Sequence, residues 1–578
     1  MSQDADEVIS IQLLKKAFTS KYYPDLFAGE GTHDAALGLI AQLVPFTDDE
    51  EFLFEIVRSG LPDSYDGDTL EEIVAMVRSA IAKGFRENGP ASMADGTQSM
   101  ASAAVKLAVT AATELFHDRN RRSFISVPTK EGGVRTFPLN SAVAVDWLGG
   151  LWYATKRSAL PAKAKSDALA TLHASALYAG SQHAVAIRIS RTTEAVYLDL
   201  GASDHMVVRI DGNGWEVAQT SPVKFLRPST FGELPKPNKG GELSKVKTLL
   251  QLSEPAWHLV LAFIISALRP VGPYFCLLVD GEQGSGKSLL CSVLKRIIDP
   301  SLIDKLPLPG SDDQLFIQAK DSHLLVFDNA SGMRNDISDA LCRLATGGAV
   351  AKRTLYTNDD LHVLVQCNPF IINGIGDFVH RPDLLERAIL LSLPTMPVGA
   401  RRPEQQIFAE LEIVLPSFLG RLFDIVSIAL RDESATEPPR EIRMADAARW
   451  LKAAEPATGL RKGTLLKAIE NSQTISVIDR VRENSVFRAL DKMLEMKGPF
   501  NGGVGVLHDL LTILMDQQDR SFPKTASHLS TQLQRLRPAM AKAGILVELK
   551  HKGREGRTVS ICRVGQEGVP AKRRPPLL

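Results

Sequence analysis

The chain has 578 residues, of which 44% are hydrophobic and 23% charged, and its formal net charge is zero. This composition excludes a wholly disordered protein, a collagen-like fibre and a disulfide scaffold, and the length predicts about three to five domains. The five cysteines form no C-x-x-C pair, and the twelve histidines show no zinc-ligand spacing. We therefore expect a folded, soluble protein of a reducing compartment, the cytoplasm, without a structural metal.

Charged residues are distributed unevenly along the chain. Residues 1–72 contain sixteen acidic and four basic side chains, whereas residues 524–578 contain twelve basic and three acidic ones. A basic C-terminal end is typical of proteins that contact nucleic acid, because it attracts the phosphate backbone. The alternative is that both ends are ordinary solvated surfaces.

The sequence predicts no membrane segment. Its first residues, MSQDADE, are acidic where a signal peptide would be basic and then apolar. The longest apolar run, residues 256–268, is shorter than the ~20 residues that a membrane span requires, and it contains His258. We expect this run to be a buried core helix and the protein to have no membrane partner.

Apolar residues spaced near 3.6 apart predict a helical N-terminal domain over residues 1–118. The predicted helices are Val8–Phe18, Asp34–Val44, Asp48–Ser59, Thr69–Gly84 and Met100–His117. Residues 119–225 are expected to form a mixed domain, in which two short strands and a helical stretch precede four strands with period-two alternation. These four strands, predicted to form a β-meander, are Ala184–Ser190, Ala195–Leu200, Met206–Ile210 and Trp215–Ala218.

Composition and periodicity also divide the rest of the chain. The proline- and glycine-rich stretch 226–241 is the clearest predicted linker. Over residues 242–400, short apolar strands alternate with helices, which is typical of a parallel sheet with helical crossovers. Residues 401–500 are predicted to be helical, and residues 501–564 are predicted to form helices followed by two strands, the order of a winged helix-turn-helix. A basic tail, residues 565–578, follows.

One motif predicts a nucleotide site. An unbroken G-x-x-x-x-G-K-S follows a predicted strand and precedes a predicted helix, which is the context of a phosphate-binding P-loop. In such a loop the backbone N–H groups surround the phosphates, the lysine reaches the β and γ phosphates, and the serine hydroxyl is a ligand of Mg²⁺. The sequence therefore predicts ATP and Mg²⁺ as cofactors. The motif consists of Gly281, Glu282, Gln283, Gly284, Ser285, Gly286, Lys287 and Ser288.

A second predicted strand of the same region ends in Asp328 and Asn329. Asp328, forty residues after the loop, is expected to hold Mg²⁺ opposite Ser288, although an acid after a strand is also a common helix cap. The next position normally carries a carboxylate that activates the attacking water, and here it is Asn329. An amide can orient water but cannot accept its proton. We therefore expect either slow hydrolysis or a base from elsewhere, such as Glu282.

Two further residues are candidates for the catalytic machinery. Asn373 follows the apolar strand 369–372, where its amide can sense the γ-phosphate or position water; the alternative is a turn residue of an Asn-Gly pair. Arg387 lies in the segment 381–390 and can reach the nucleotide of a neighbouring subunit as an arginine finger. Its alternative role is an ion pair on a helix face.

The order of these motifs resembles superfamily 3 helicases, and more closely the helicase half of the poxvirus-type primase-helicases of phages and mobile elements. The resemblance rests on the P-loop, on residues 327–329, 346–348 and 352–356, and on residues 370–373, and it covers about residues 242–400. It implies an AAA+ ATPase that assembles into a ring, usually a hexamer, and moves on single-stranded DNA. It also implies that Lys352 and Arg353 lie on or beside a hairpin that grips phosphates in the central channel.

The expected fold class is therefore multidomain α/β: an AAA+ P-loop ATPase core with N-terminal helical and small β-rich domains and a C-terminal winged-helix domain. Basic residues in the winged helix are expected to contact DNA phosphates, including those of duplex DNA. The alternative is that this domain binds a protein, as other winged helices do. These candidate DNA contacts are Arg535, Arg537, Lys550, Lys552, Arg554 and Arg557.

We expect an ATP-dependent DNA helicase or replication-initiation ATPase of a phage or mobile element. Its N-terminal modules would recruit a primase or another replication partner, since the chain offers no convincing metal-binding carboxylates of a primase of its own. The alternative is a DNA-binding regulator that is switched by ATP but hydrolyses little of it, which Asn329 favours.

Overall fold

The computed structural model describes most of the chain. The described residues are 14, 17–18, 20–28, 31–44, 47, 49–62, 65, 67–82, 99–353, 361–376, 378–379, 381–397, 399, 401–440, 442–514, 521–552 and 556–565. The chain forms two compact units: residues 1–111 with 139–178, and residues 112–138 with 179–578.

The first unit is helical where it is described. Its core is formed by apolar positions that recur every three or four residues, such as Leu39, Leu53 and Ile73, all fully buried. The carboxylate of Asp49 caps one helix by accepting hydrogen bonds from two backbone N–H groups of its first turn. The helices are α1 (Tyr23–Ala28), α2 (Thr32–Leu43), α3 (Glu50–Ser59), α4 (Thr69–Ala82), α5 (Met100–Ala111), α6 (Ala142–Lys156) and α7 (Ala162–Tyr178).

The helix predicted over Met100–His117 is shorter in the structure. It ends at Ala111, and β1 (Glu114–His117) pairs antiparallel with β2 (Ser123–Pro128). Phe116 is buried and stacks on Phe124 with ring centroids 5.3 Å apart. Cross-strand pairing and aromatic packing therefore override the helical spacing of the sequence here. The helix predicted over Val8–Phe18 lies largely outside the described residues.

The second unit begins with small sheets. The first has the order β3-β2-β1-β4, with β3 at Val134–Pro138 and β4 at Ser181–Gln182, and β5 (Val185–Ala186) pairs with β10 (Lys224–Phe225). The alternating segment forms an antiparallel meander, as its pattern predicts. The strands of this meander are β6 (Ile189–Arg191), β7 (Val196–Asp199), β8 (Val207–Asp211) and β9 (Gly214–Ala218).

A parallel sheet forms the centre of the second unit. Its order is β12-β15-β11-β16, and all neighbouring strands run in the same direction. The carboxyl ends of the strands therefore meet at one edge, where ligands bind in open α/β sheets. Every residue of the apolar run 256–268 except the partly buried His258 is buried, as expected for a core helix. The elements are α8 (Leu243–Leu249), α9 (Glu254–Ala267), β11 (Cys276–Gly281), α10 (Lys287–Ile298), α11 (Asp312–Lys320), β12 (Leu325–Ala330), α12 (Asn335–Thr346), β13 (Gly348–Arg353), β14 (Leu361–Gln366), β15 (Phe370–Gly374), α13 (Pro382–Leu385) and β16 (Ala388–Leu393).

Three helices follow the sheet: α14 (Glu404–Asp432), α15 (Ala445–Ala454) and α16 (Thr464–Glu483). Of the helices in the described part of the chain, α14 alone is long and apolar enough to cross a membrane, and 56% of its most apolar window is buried in protein. α8 and α9 pass the same test as a pair, but they meet at an angle of 119°. One or two such helices are weak evidence for a membrane span.

The C-terminal elements surround a separate core that includes Phe487, Leu507 and Leu533. Helix α17 (Ser485–Lys497) contributes to this core, although the sequence placed it in the preceding helical region, and the strand β17 was not predicted. The sheet is antiparallel with the order β17-β19-β18. The remaining elements are β17 (Phe500–Gly503), α18 (Val504–Leu514), α19 (Ala526–Lys542), β18 (Ile545–Lys552) and β19 (Gly556–Arg563).

A buried ionic cluster fixes the end of α10. Asp299 accepts hydrogen bonds from Arg188 Nε at 3.0 Å, from Lys295 Nζ at 2.8 Å and from the backbone N–H groups of His323 and Leu324. Burial alone raises the pKa of the Asp299 carboxyl, but attraction to Lys295 and Arg188 outweighs it, and the pKa is lowered. The cluster thus ties α10 to the start of β12, and these two elements carry the candidate site at their other ends.

Candidate nucleotide-binding site

The G-x-x-x-x-G-K-S segment connects β11 to α10 at the carboxyl edge of the parallel sheet. Gly286 adopts a left-handed conformation, with φ at 82°, immediately before the first residue of α10. A side chain there would be strained, and its Cβ would lie 2.6 Å from Met396 Cε. The glycine thus lets the loop turn sharply into the helix, whose N-terminal N–H groups face the loop.

The side chain of Lys287 folds back onto the backbone of this loop. This side chain is buried, and Nζ donates hydrogen bonds to the carbonyl oxygens of Gly281 and, at 2.9 Å, of Glu282. Ser285 is also buried, and its hydroxyl has no hydrogen-bond partner among the described residues. A cation and an unpaired hydroxyl beside the N-terminus of α10 are donors of the kind that bind a polyphosphate. These residues therefore fit a bound nucleotide phosphate.

Ser288 and Asp328 are brought together from different elements. The hydroxyl of Ser288, in the first turn of α10, donates to Asp328 Oδ1, near the end of β12, at 3.0 Å. Hydroxyl and carboxylate oxygens are ligands that Mg²⁺ prefers, and the ion is commonly completed by phosphate and water. The described residues contain no group of three or more His, Cys, Asp or Glu that could hold a metal. The pair therefore fits a Mg²⁺ that is bound together with a nucleotide.

Asn329 and Asn373 meet at the same edge. Asn329 is exposed, has φ at 58° and lies in an irregularity between β12 and β15. Asparagine adopts this left-handed conformation more readily than most residues. Its backbone N–H donates to Asn373 Oδ1 at 2.8 Å, and Asn373 Nδ2 lies 3.4 Å from Cys291 Sγ. Burial raises the pKa of the Cys291 thiol to about 12. As placed, the buried Asn373 side chain holds Asn329 in position.

The proposed alternative base, Glu282, is exposed in the loop, and its carboxylate accepts a hydrogen bond from Thr395 Oγ1 at 2.9 Å. Thr395 lies two residues after the end of β16. Glu282 thus links the loop to the segment that leaves the last strand of the sheet.

Arg387 lies at the opposite end of the sheet. Its carbonyl oxygen accepts a hydrogen bond from the N–H of Cys276, the first residue of β11, whereas the P-loop follows the last residue of that strand. The six residues of β11 span roughly 20 Å at ~3.3 Å per residue. Arg387 NH1 donates to the carbonyl of Asp383 at 2.6 Å, and its buried Nε has no partner among the described residues. Arg387 therefore does not join the P-loop of its own chain.

Sequence reasoning missed the segment between β16 and α14. This segment and α8 border a cavity of about 340 Å³ beside the P-loop. Its apolar lining includes Leu252, Leu289 and Met396, and Arg401 lies on its rim against Gly284. The Arg-Arg-Pro sequence at 401–403 was the one available signal, and it carries no recognisable motif.

The candidate DNA contacts lie in two regions. The backbone of Lys352 and Arg353 forms part of β13, which pairs antiparallel with β14 in a two-stranded sheet, as expected for a hairpin. In the C-terminal core, Arg535 and Arg537 are exposed on α19 and Lys550 is exposed on β18. Lys552 and Arg557 belong to β18 and β19 by their backbone, and Arg554 lies outside the described residues.

Some solved structures show a distant similarity to the chain. No curated protein matches it. Among solved structures, "The A form apo structure of NrS-1 C terminal region-CTR" is similar over 80% of this chain and 99% of that chain, with a TM-score of 0.38 and 13% identity. "The apo structure of NrS-1 C terminal region (305-718)" is similar over 81% of this chain and all of that chain, with a TM-score of 0.37 and 13% identity.

Two family models match adjacent parts of the chain. Residues 247–472, which contain the parallel sheet and the P-loop, match the model of the actinomycete integrative conjugative element replication protein. Residues 486–572 match the model of the C-terminal domain of the same replication protein, RepA. Both matches support one conclusion: this chain is a replication protein of a mobile element.

Proposed function

We propose that this replication protein is a DNA-dependent ATPase, and specifically a helicase of the superfamily 3 type with an AAA+ core. The observation that carries the proposal is the convergence of Lys287, Ser288 and Asp328 at the carboxyl edge of the parallel sheet. Together they offer a phosphate-binding cation and two Mg²⁺ ligands, which is the donor set of an ATP site. When bound, Mg²⁺ would neutralise charge on the phosphates.

The residues of the chain then take distinct roles. The loop backbone and Lys287 bind the phosphates, and Ser288 with Asp328 fixes the metal. The exposed amide of Asn329 orients the attacking water, while Asn373 keeps Asn329 in place. The cavity beside the loop, about 340 Å³ with apolar walls, suits a nucleobase.

The position of Arg387 favours a homo-oligomer, with a hexameric ring as the expected form. This side chain lies at the far end of the sheet from the P-loop of its own chain. A role in hydrolysis therefore requires that Arg387 act on the nucleotide of a neighbouring subunit, as an arginine finger. The hairpin of β13 and β14 would contact single-stranded DNA through Lys352 and Arg353, and α19 with its wing would contact duplex DNA in a winged-helix arrangement.

The proposal is tested by steady-state ATP hydrolysis with and without single-stranded DNA. Wild type should show turnover that rises with DNA, and Lys287→Ala should abolish it because the phosphates lose their cation. Lys320→Ala, which removes an exposed lysine at the end of α11, is the matched control and should behave as wild type. Absence of turnover in wild type together with tight ATP binding would contradict the proposal that the protein is an ATP-driven motor.

A second function is favoured by Asn329. An amide at this position cannot accept the proton of the attacking water, so the protein could be a DNA-binding regulator that ATP switches without hydrolysis. Strand displacement in ATP separates the two functions, because only a motor unwinds DNA. The double variant Lys352→Ala with Arg353→Ala should abolish DNA-stimulated turnover of a motor and leave ATP binding intact.

A further inference from the structure

Arg401 lies directly over the phosphate-binding loop. Gly284 occupies the middle of the G-x-x-x-x-G-K-S segment and has φ at 82°. A Cβ at this position would collide with the guanidinium of Arg401, so only a glycine lets the arginine come this close to the loop backbone. The guanidinium therefore lies against the loop backbone at Gly284.

The guanidinium of Arg401 has no acidic partner in the part of the chain that the structure describes. No hydrogen bond or ion pair joins its guanidinium to another described residue. The neighbouring Arg402 differs, because its guanidinium pairs with the carboxylate of Glu410 on α14. Two consecutive arginines thus have different surroundings: one is neutralised by an acid, and the other faces the loop.

No salt bridge joins Arg401 to an acid of the loop, whose residues are all described by the structure. Its one carboxylate, Glu282, is engaged by Thr395, and Asp328 is engaged by Ser288. Lys287 already supplies one cation from within the loop, and Arg401 adds a second from outside it. Two cations beside backbone N–H donors favour the binding of an anion.

We infer that Arg401 is a phosphate-binding residue of this site, supplied in cis, that contacts the polyphosphate of the nucleotide together with Lys287. The inference rests on the proposed function, because it requires that the loop bind a nucleotide. A guanidinium is charged at all physiological pH values, and its planar fork matches two phosphate oxygens, whereas Lys287 acts as a point charge. Arg401 thus adds to the preference of the site for ATP and ADP over AMP.

The test measures the Kd of ATP, ADP and AMP, each with Mg²⁺, by titration of the full chain. Arg401→Ala should weaken ATP and ADP binding by about tenfold or more, since hydrogen bonds to charged groups are the strong ones, and should change AMP binding much less. Arg401→Lys should restore part of the affinity, because it keeps the charge but not the fork. Arg461→Ala removes an exposed arginine in the loop before α16 and serves as the control.

The measurements distinguish a failure of this inference from a failure of the proposed function. ATP binding by wild type with an unchanged Kd in Arg401→Ala would overturn this inference and leave the proposed function standing. Tighter ATP binding by Arg401→Ala would also overturn it, because the arginine would then block the loop. If wild type binds no ATP, both the proposed function and this inference fall. Thermal unfolding of each variant establishes that a lost affinity does not reflect a lost fold.

Discussion

Asn373 holds Asn329 through a hydrogen bond between its side-chain carbonyl and the backbone N–H of Asn329, 2.8 Å apart. Asn373 is fully buried, whereas Asn329 is exposed at the edge of the sheet where the nucleotide is expected. A buried side chain thus fixes the backbone from which the exposed Asn329 side chain projects. This contact joins residues 44 positions apart in the chain.

Asn373→Ala should therefore affect both stability and turnover. The substitution leaves the N–H of Asn329 without its partner, which should cost about 1–3 kcal/mol of unfolding free energy, and turnover should fall because Asn329 loses its fixed position. Urea unfolding and ATP hydrolysis measure the two effects. Asn120→Ala, at an exposed asparagine, should change neither. Unchanged turnover in Asn373→Ala would contradict a positioning role.

Asn329→Asp should increase ATP turnover. A carboxylate at this position can accept the proton of the attacking water, and general-base catalysis contributes on the order of 10²-fold or more. Aspartate, like asparagine, tolerates the left-handed backbone found here. Single-turnover hydrolysis measures the rate, and Asn329→Ala shows what the amide itself contributes. A rate for Asn329→Asp no higher than wild type would indicate that the base comes from another residue.

Asp299→Asn should destabilise the second unit strongly. The carboxylate is buried between Arg188 and Lys295, and its removal leaves two cations without a counter-charge. Breaking a buried ion pair in this way costs about 3–5 kcal/mol. Denaturant unfolding measures the loss, and Asp321→Asn, at an exposed aspartate, is the control. A loss equal to that of the control would show that the cluster contributes nothing to stability.

Stability should fall as the pH drops below about 6.5, because of His323. Burial lowers the pKa of the His323 imidazole from its ordinary value of 6.5. The unfolded chain then binds a proton that the folded chain does not, so acidification favours unfolding. At pH values above 6.5 both states are neutral at this residue and the effect vanishes. The lowered pKa of Asp299 adds a further loss below about 3.8, where the unfolded carboxylate is protonated first.

Unfolding free energies at pH 8, 6.5 and 5 test this pH dependence. His323→Gln keeps a donor for the carbonyl of Ala267, which lies 2.7 Å from His323 Nε2, but does not titrate. The variant should therefore show a smaller loss between pH 6.5 and pH 5. An equal loss in wild type and variant would assign the pH dependence to other groups.

Arg535→Ala combined with Arg537→Ala should weaken binding of duplex DNA. Both side chains are exposed on α19, and each phosphate contact contributes about 0.9 to the slope of log affinity against log salt. The double variant should lower this slope by up to about two and weaken binding of all sequences alike. Fluorescence anisotropy at several salt concentrations measures both the affinity and this slope. Lys163→Ala, at an exposed lysine of α7, is the control, and an unchanged slope would exclude α19 as a DNA-contacting helix.

Local patterns in the sequence predicted most of the secondary structure and the central features of the site. The G-x-x-x-x-G-K-S segment from Gly281 to Ser288 is contiguous, so its residue types and spacing predict a phosphate-binding loop without reference to the rest of the chain. Asp328 was predicted because parallel strands bring their carboxyl ends to one edge. The helical spacing of Met100–His117 predicted a helix as far as His117, but the helix ends at Ala111. Phe116 lies in a strand instead, because it pairs and stacks with Phe124 on the neighbouring strand.

Only the tertiary structure determined which distant residues meet. Arg188 and Asp299 are 111 residues apart and Thr395 and Glu282 are 113 apart, and no periodicity links either pair. The same holds for Arg401, whose proximity to Gly284 follows from the path of the segment after β16. Sequence alone therefore determined the short contiguous motifs and the candidate chemistry that they predict. Folding decided the contacts, because burial, charge pairing and packing act between surfaces that the linear order does not bring together.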